Sequence, residues 1–241
     1  MKALILAAGK GTRMKDLTKA MPKPMLPVRG KPTLLHILEG LASAQIRDFV
    51  IITGFQAEVV EEYFGDGSRF GWNIQYVRQT VQDGTGKAPE LAKAALSDGP
   101  FVLSYGDILV APANYKALRQ TFEEEACAAV VSIWRGEDTS KGGAVMIDDK
   151  GDMLDIIEKP PPGTVTSPWY NAGLYAFDPV LFDYTARLEK SPRGEYELTD
   201  ALKALCQTGK RVRTLLLKGH WIDVRDPEEL ERAQGLLAPD A

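Results

Sequence analysis

Cysteine and histidine are almost missing from this sequence. Its 241 residues hold two of each: Cys127, Cys206, His36 and His220. The cysteines fit no CxxC pattern, and four such residues scattered along the chain argue against a Cys/His zinc site. They imply no disulfide framework, so a reducing cytoplasm is the expected compartment. Long apolar runs are missing as well. Nothing approaches the ~20 residues that cross a bilayer, so no membrane partner is expected. The opening MKALILAAG is too short for a secretory leader, and GKGTRMK stands where a small-residue cleavage site would be. There is no excess of basic residues either. The formal charge is -4, which speaks against nucleic acid as a partner. What remains is an ordinary globular composition, 44% hydrophobic and 26% charged, in a length that favours one domain over two.

Strand and helix signals alternate through the first half. Lys2–Ala7 is a short continuous apolar run, as a parallel strand buried on both faces should be. A Gly-rich loop follows, and then Leu34, Leu35, Ile37, Leu38 and Leu41 recur at helical spacing just after Pro32. Phe49–Thr53, Ile74–Val77 and Phe101–Tyr105 read as further strands. Ala57–Phe64 and Leu91–Leu96 read as the helices between them. After about Ala126 the rhythm changes to short-linked strands (AAVVSI, GAVMI, MLDIIE, NAGLYAF), and helical signals return over Tyr196–Cys206 and Pro227–Leu236. The pattern predicts an α/β fold. It has a Rossmann-like, mostly parallel mixed sheet, helices on both faces and a small antiparallel insertion.

Charge is distributed unevenly. Residues 1–31 carry Lys2, Lys10, Arg13, Lys15, Lys19, Lys23, Arg29 and Lys31 against one acid, Asp16. In open α/β sheets ligands bind beyond the carboxyl ends of the strands, and a Gly-rich loop there can offer backbone N–H groups to phosphate oxygens. The loop is not a P-loop: Gly84-Thr85-Gly86-Lys87 ends in Ala88, without the hydroxyl that would hold magnesium. Nor is it a full dinucleotide fingerprint, because Gly9-Lys10-Gly11 is followed by Thr12, Arg13 and Met14. A nicotinamide-dependent dehydrogenase is thus weakly supported.

A longer string does match. Leu6-Ala7-Ala8-Gly9-Lys10-Gly11-Thr12-Arg13-Met14 with Pro22-Lys23-Pro24 resembles the signature of the sugar-phosphate nucleotidyltransferases, the nucleoside-diphosphate-sugar pyrophosphorylases. Gln79 with Gly84-Thr85, Tyr105-Gly106-Asp107, Glu158-Lys159-Pro160 and Trp221-Ile222-Asp223 resemble further family segments in the right order. The resemblance covers nearly the whole chain. It implies condensation of a nucleoside triphosphate with a sugar 1-phosphate to give a nucleoside-diphosphate sugar and pyrophosphate. It also implies a nucleotide-binding half over about residues 1–125 and a sugar-phosphate-binding half over 126–241. The β-helix domain that many relatives carry at their C-terminus is not expected here.

The resemblance also assigns roles. Arg13, Lys23 and Asp107 would be catalytic. Ala8, Gly9, Gly11, Thr12, Arg13, Gln79, Gly84 and Thr85 would bind the nucleotide. Gly143, Glu158, Lys159 and Asn171 would bind the sugar phosphate, and Asp107 and Asp223 would hold Mg2+. The chemistry agrees with these residue types. Two polyanionic substrates need cations between them. Arginine forks across phosphate oxygens, and Mg2+ takes one or two carboxylates plus phosphates. The Gln79 segment looks most like those of UTP or dTTP enzymes, although guanylyl- and cytidylyl-type relatives stay open. A non-catalytic nucleotide-sugar sensor on the same fold is the rival, and a homo-oligomer is left open. The segment Arg193–Asp200 also resembles a family segment, but it could equally start a helix, and no site role is assigned to it.

Overall fold

The computed structural model describes residues 1–19, 21–136 and 138–237; the last residues of the expected single domain, 238–241, lie outside these. Along the chain run β1 (Lys2–Leu6), β2 (Pro27–Val28), β3 (Lys31–Pro32), α1 (Thr33–Ser43), β4 (Asp48–Thr53), α2 (Ala57–Phe64) and β5 (Asn73–Arg78). Two short helices, α3 (Ala88–Leu91) and α4 (Lys93–Leu96), lead to β6 (Phe101–Tyr105), β7 (Ile108–Val110) and α5 (Ala113–Glu124). Then come β8 (Ala129–Arg135), β9 (Gly143–Ile147), β10 (Met153–Glu158) and β11 (Trp169–Phe177). The chain continues through α6 (Leu181–Thr185), α7 (Leu198–Gln207), β12 (Val212–Leu216), β13 (Trp221–Asp223) and α8 (Pro227–Leu236). Parallel and antiparallel pairings both occur, so the α/β fold is of the mixed type that the sequence predicts.

Two compact units interleave along the chain. The first contains Lys2–Gln82, Ser104–Lys116 and the chain from Lys218; the second contains Asp83–Leu103 and Ala117–Leu217. Asp223 therefore belongs to the same unit as β1.

In the first unit β1 pairs in parallel with β4 (Leu4↔Val50, Leu6↔Ile52), and β4 with β5 (Val50↔Gln75, Thr53↔Arg78). Ala3, Leu4 and Ile5 are fully buried, which is why β1 reads as continuous rather than alternating. The stripe Leu34, Leu35, Ile37, Leu38, Leu41 on α1 is buried as its spacing predicts. Gly40 interrupts that helix for a packing reason: a Cβ there would lie 2.2 Å from the ring of Tyr115. Strand β13 pairs antiparallel with β7 (Trp221↔Val110, Asp223↔Ile108). Helix α8 follows at once, with Pro227 in its first turn and the Asp226 carboxylate accepting the Glu229 N–H at 3.0 Å.

The second unit is mainly antiparallel. β11 pairs with β8 and β9, and β9 with β10; β12 adds in parallel to β8. Helix α7 packs on β10 and β12 through Leu198, Ala201, Leu202 and Leu205. Several features differ from the sequence reading: α6 and β12 were not expected, and two helices differ for identifiable reasons. The helix expected over Leu91–Leu96 breaks at Ala92, which leaves helical geometry at ψ 3°. Helix α5 carried no clear signal because its face is sparse, with Tyr115 and Leu118 its buried apolar residues.

Candidate active site

In the first unit the chain leaves β1 through Ala7–Gly11. Gly11 has φ 62°, the left-handed region, and a Cβ there would meet Lys23 Cβ at 3.0 Å. Glycine is thus required at Gly11 twice, by backbone geometry and by the close approach of Lys23. Gly9 is different. It is exposed, and a Cβ on it would meet nothing within 4 Å. Thr12 and Arg13 open a 3-10 segment, Thr12–Thr18, and both face solvent at its start. Lys23 sits in a turn closed by Met25 N–H to the Pro22 carbonyl at 2.8 Å.

Lys23 is only 8% exposed, and its ammonium meets Asp107 Oδ2 at 2.5 Å. Asp107 lies between β6 and β7. The preceding Gly106 N–H bonds the Leu6 carbonyl (2.9 Å), which ties the end of β6 to the end of β1. Asp223, the last residue of β13, is brought alongside by the β7–β13 register and by Val224 N–H to the Asp107 carbonyl at 2.9 Å. Burial, and then the Asp107 charge, push the Asp223 carboxyl up to about 6; Lys23, Arg225 and Arg13 pull the other way. Two carboxylates held close enough to repel, in reach of three cationic side chains, form a hard-oxygen donor pair. That pair fits Mg2+, which needs no third protein ligand when phosphates supply the rest. Among the described residues no group of three or more His, Cys, Asp or Glu side chains could hold a metal ion.

Gln79 follows β5, and its N–H bonds the Thr53 carbonyl at 2.7 Å. Three residues on, Gln82 reaches back to β1's loop: its side-chain amide donates to the Ala8 carbonyl at 2.6 Å. Sequence reasoning assigned Gln82 no role, since nothing local says which glutamine folds back.

In the second unit Gly84 has φ 122°, and a Cβ there would lie 2.2 Å from the Tyr196 carbonyl oxygen. The space that a side chain would need is filled by the chain itself. Tyr196 N–H bonds the Asp83 carbonyl and Gly86 N–H the Tyr196 carbonyl, both at 2.8 Å. The Thr85 hydroxyl accepts the Leu198 N–H at 3.4 Å, at the start of α7.

Glu158, Gly143 and Asn171 fall in one row across β10, β9 and β11. Glu158 is paired with Gly143, Tyr170 with Ala144, and a Cβ on Gly143 would meet Asn171 Cβ at 2.9 Å. Asn171 is 9% exposed, and its Oδ1 is buried without a hydrogen-bond partner. A buried acceptor left unpaired costs stability unless a ligand or water completes it. Lys159 sits just past the row in the left-handed region (φ 43°), held by its N–H on the Gly142 carbonyl at 2.7 Å. Such a conformation in a non-glycine residue is strained.

Arg193 adds what the sequence left unassigned. Its guanidinium lies 3.6 Å from Glu158, 3.0 Å from Glu195 and 3.5 Å from Glu197. Glu197, 5% exposed, also accepts the Ser191 hydroxyl at 3.1 Å. Burial, then the Glu197 charge, raise the Glu158 carboxyl against the pull of Lys159, Arg193 and Thr199. Burial raises Glu197 too, opposed mainly by Arg193. Each unit thus assembles its own group. Lys23, Asp107, Asp223 and the Gly-rich loop with Arg13 form the first. Glu158, Lys159, Gly143, Asn171 and Arg193 form the second.

Comparison with known proteins gives a consistent picture. The family model described as "Nucleotidyl transferase" matches residues 2–238. The low-salt glycan biosynthesis nucleotidyltransferase Agl11 of Haloferax volcanii is 32% identical over all of this chain and 67% of its own length. The UTP–glucose-1-phosphate uridylyltransferase AglF of the same organism is 31% identical over 98% of this chain and 96% of its own length. Other curated relatives are longer, and the chain spans about half of them, 52%. A crystal structure of UDP-glucose pyrophosphorylase complexed with UDP-glucose superposes with a TM-score of 0.89 at 26% identity, covering 97% of each chain.

Proposed function

Because the chain belongs to the nucleotidyl transferase family, we propose that it condenses a nucleoside triphosphate, UTP or dTTP, with a sugar 1-phosphate. The products are a nucleoside-diphosphate sugar and pyrophosphate. The observation that carries this reading is the buried Lys23–Asp107 ion pair with Asp223 beside it. An acid pair with a captive lysine suits chemistry on a polyphosphate, whereas a nucleotide-sugar sensor need not keep both carboxylates.

A sugar-phosphate oxygen attacks the α-phosphorus in line, a new P–O bond forms, and the bond to the departing pyrophosphate breaks. No histidine or cysteine nucleophile is needed. Catalysis is positioning and charge neutralisation. Lys23 turns from Asp107 to the α-phosphate, and Arg13 forks across the outer phosphates. Asp107 and Asp223 would hold Mg2+, which when bound supplies neutralisation of phosphate charge. The loop Ala8–Thr12 presents backbone N–H groups. Gln79 reads a pyrimidine edge, and Gly84-Thr85 shapes the segment beside it. Lys159 pairs with the anomeric phosphate, and Glu158, Asn171 and the backbone at Gly143 take sugar hydroxyls. UTP is supported by the similarity to AglF, a UTP–glucose-1-phosphate uridylyltransferase, and one methyl separates uracil from thymine, a weak basis for discrimination. A cytoplasmic location belongs to the same proposal; its support is the scarcity of cysteine.

The test is pyrophosphate release with Mg2+, over five nucleoside triphosphates against glucose, GlcNAc, mannose, galactose and MurNAc 1-phosphates. Sugar-dependent release in the UTP or dTTP row is expected. Tight nucleotide-sugar binding with no release in any cell would overturn the enzyme reading in favour of a sensor.

A further inference from the structure

Gln82 is not among the residues that the signature points to, yet its side chain makes a specific long-range contact. Its amide Nε2 donates to the Ala8 carbonyl at 2.6 Å, and the Phe55 N–H reaches the same oxygen at 3.3 Å. The amide orientation follows from chemistry, because the opposite flip would set two oxygens against each other. Gly54 makes the room: a Cβ there would lie 2.6 Å from that carbonyl oxygen. Both lone pairs of Ala8 O are therefore used inside the protein, so Ala8 has no acceptor to offer a ligand.

The consequence lies on the other side of the same peptide. There are no cis peptide bonds in the described residues. In a trans peptide the C=O of Ala8 and the N–H of Gly9 point in opposite directions in one plane. Fixing the carbonyl inward fixes the Gly9 N–H outward. Gly9 is exposed, and the space beside its Cα is open to 4 Å. That leaves a directed, unobstructed backbone donor at the end of β1, in the most basic stretch of the sequence.

We infer that Gln82 is a positioning residue: by clamping the Ala8 carbonyl it aims the Gly9 N–H at an acceptor oxygen of the bound nucleotide. Gln82 lies between Gln79 and Gly84, so the segment proposed to read the base also sets the donor on the loop after β1. The inference rests on the proposed function for the identity of the ligand, and on the geometry alone for the clamp.

The substitution to make is Gln82→Met, which keeps length and removes the donor. Titration calorimetry with UTP and dTTP, without sugar phosphate, should show affinity falling ~10-fold or more while Tm stays within ~1 °C. In steady state the KM for the nucleotide should rise while the KM for the sugar phosphate stays within ~2-fold. In 15N–1H spectra the Gly9 amide should shift on adding UTP to the wild type and shift far less in Gln82→Met. Wild-type affinity and an unchanged Gly9 response in the variant would overturn the clamp and leave the proposed function standing. If the wild-type protein binds no nucleoside triphosphate, the functional reading fails, and this inference with it.

Discussion

The two units pair their charges in opposite ways. In the first, one ammonium meets one carboxylate at 2.5 Å, and a second carboxylate waits beside them. In the second, one guanidinium is spread over three carboxylates at 3.0–3.6 Å. A short one-to-one pair is a contact that a competing anion can exchange, because the lysine has a single partner to leave. A shared guanidinium releases none of its partners cleanly, so it holds a set of acceptors in place. The first arrangement suits a charged ligand that must displace something; the second suits neutral hydroxyls that need a fixed frame.

The sharpest test of that contrast removes the exchangeable pair. Lys23→Ala and Asp107→Asn should each lower turnover ~100-fold or more, with circular dichroism unchanged. Near-normal rates in either variant would dissolve the distinction. Gly84→Ala comes next. A methyl facing the Tyr196 carbonyl at a positive φ should cost roughly 3 kcal/mol of stability, read as a Tm lower by about 6–12 °C. Gly9→Ala should leave Tm almost unmoved and weaken nucleotide binding, since nothing in the protein crowds that position.

Smaller effects come from the raised carboxyls. Asp223 has a folded pKa of about 6 against an ordinary 3.8, so the native state binds the extra proton between those values. The stability this contributes is full below 3.8 and is lost as pH rises through about 6. Asp223→Asn should therefore be the more stable protein above pH 6, on the order of 1–3 kcal/mol, and should lose that advantage near pH 4, while its turnover falls. Glu158→Gln should behave alike in direction, with a higher Tm at pH 7–8 and an advantage that fades towards pH 4.5. Its kinetic cost should appear in the KM for the sugar phosphate and leave that for the nucleotide within ~2-fold. Paired melts across pH 4–8 would check both. A nucleotide KM that moved with Glu158→Gln would mean that the two groups do not divide the labour as described.

Legibility in the sequence followed the range of each interaction. β1, β4 and β6 were readable because strands buried on both faces write their burial as unbroken apolar runs. Lys23 and Asp107 were readable by resemblance, and the structure brings their side chains together. The row Glu158–Gly143–Asn171 needed a strand register, which no local pattern specifies. Gln82 was missed and Arg193 was left without a role. The partner of Gln82, Ala8, is far away in sequence, and an exposed glutamine has no periodicity to betray it; the Arg193–Asp200 segment was noticed, but only the long-range contact with Glu158 ties Arg193 to the row. Helix α5 was missed because two buried apolar residues are too few to raise a helical signal above a polar background.

The pairing of β7 with β13 sets a schedule for the nascent chain. Asp107 leaves the ribosome with its strand, but Ile108 must wait for Asp223, more than a hundred residues later. At ~10 residues per second that delay is roughly 10 s, during which Ala117–Leu217 of the second unit is synthesised. Until then β7 has an unpaired edge and the acid pair is a single aspartate. A chain arrested in that interval holds both Lys23 and Asp107, yet it lacks the second carboxylate. The acid pair thus completes late, and a fragment that stops before β13 would lack one of the two carboxylates proposed to hold Mg2+.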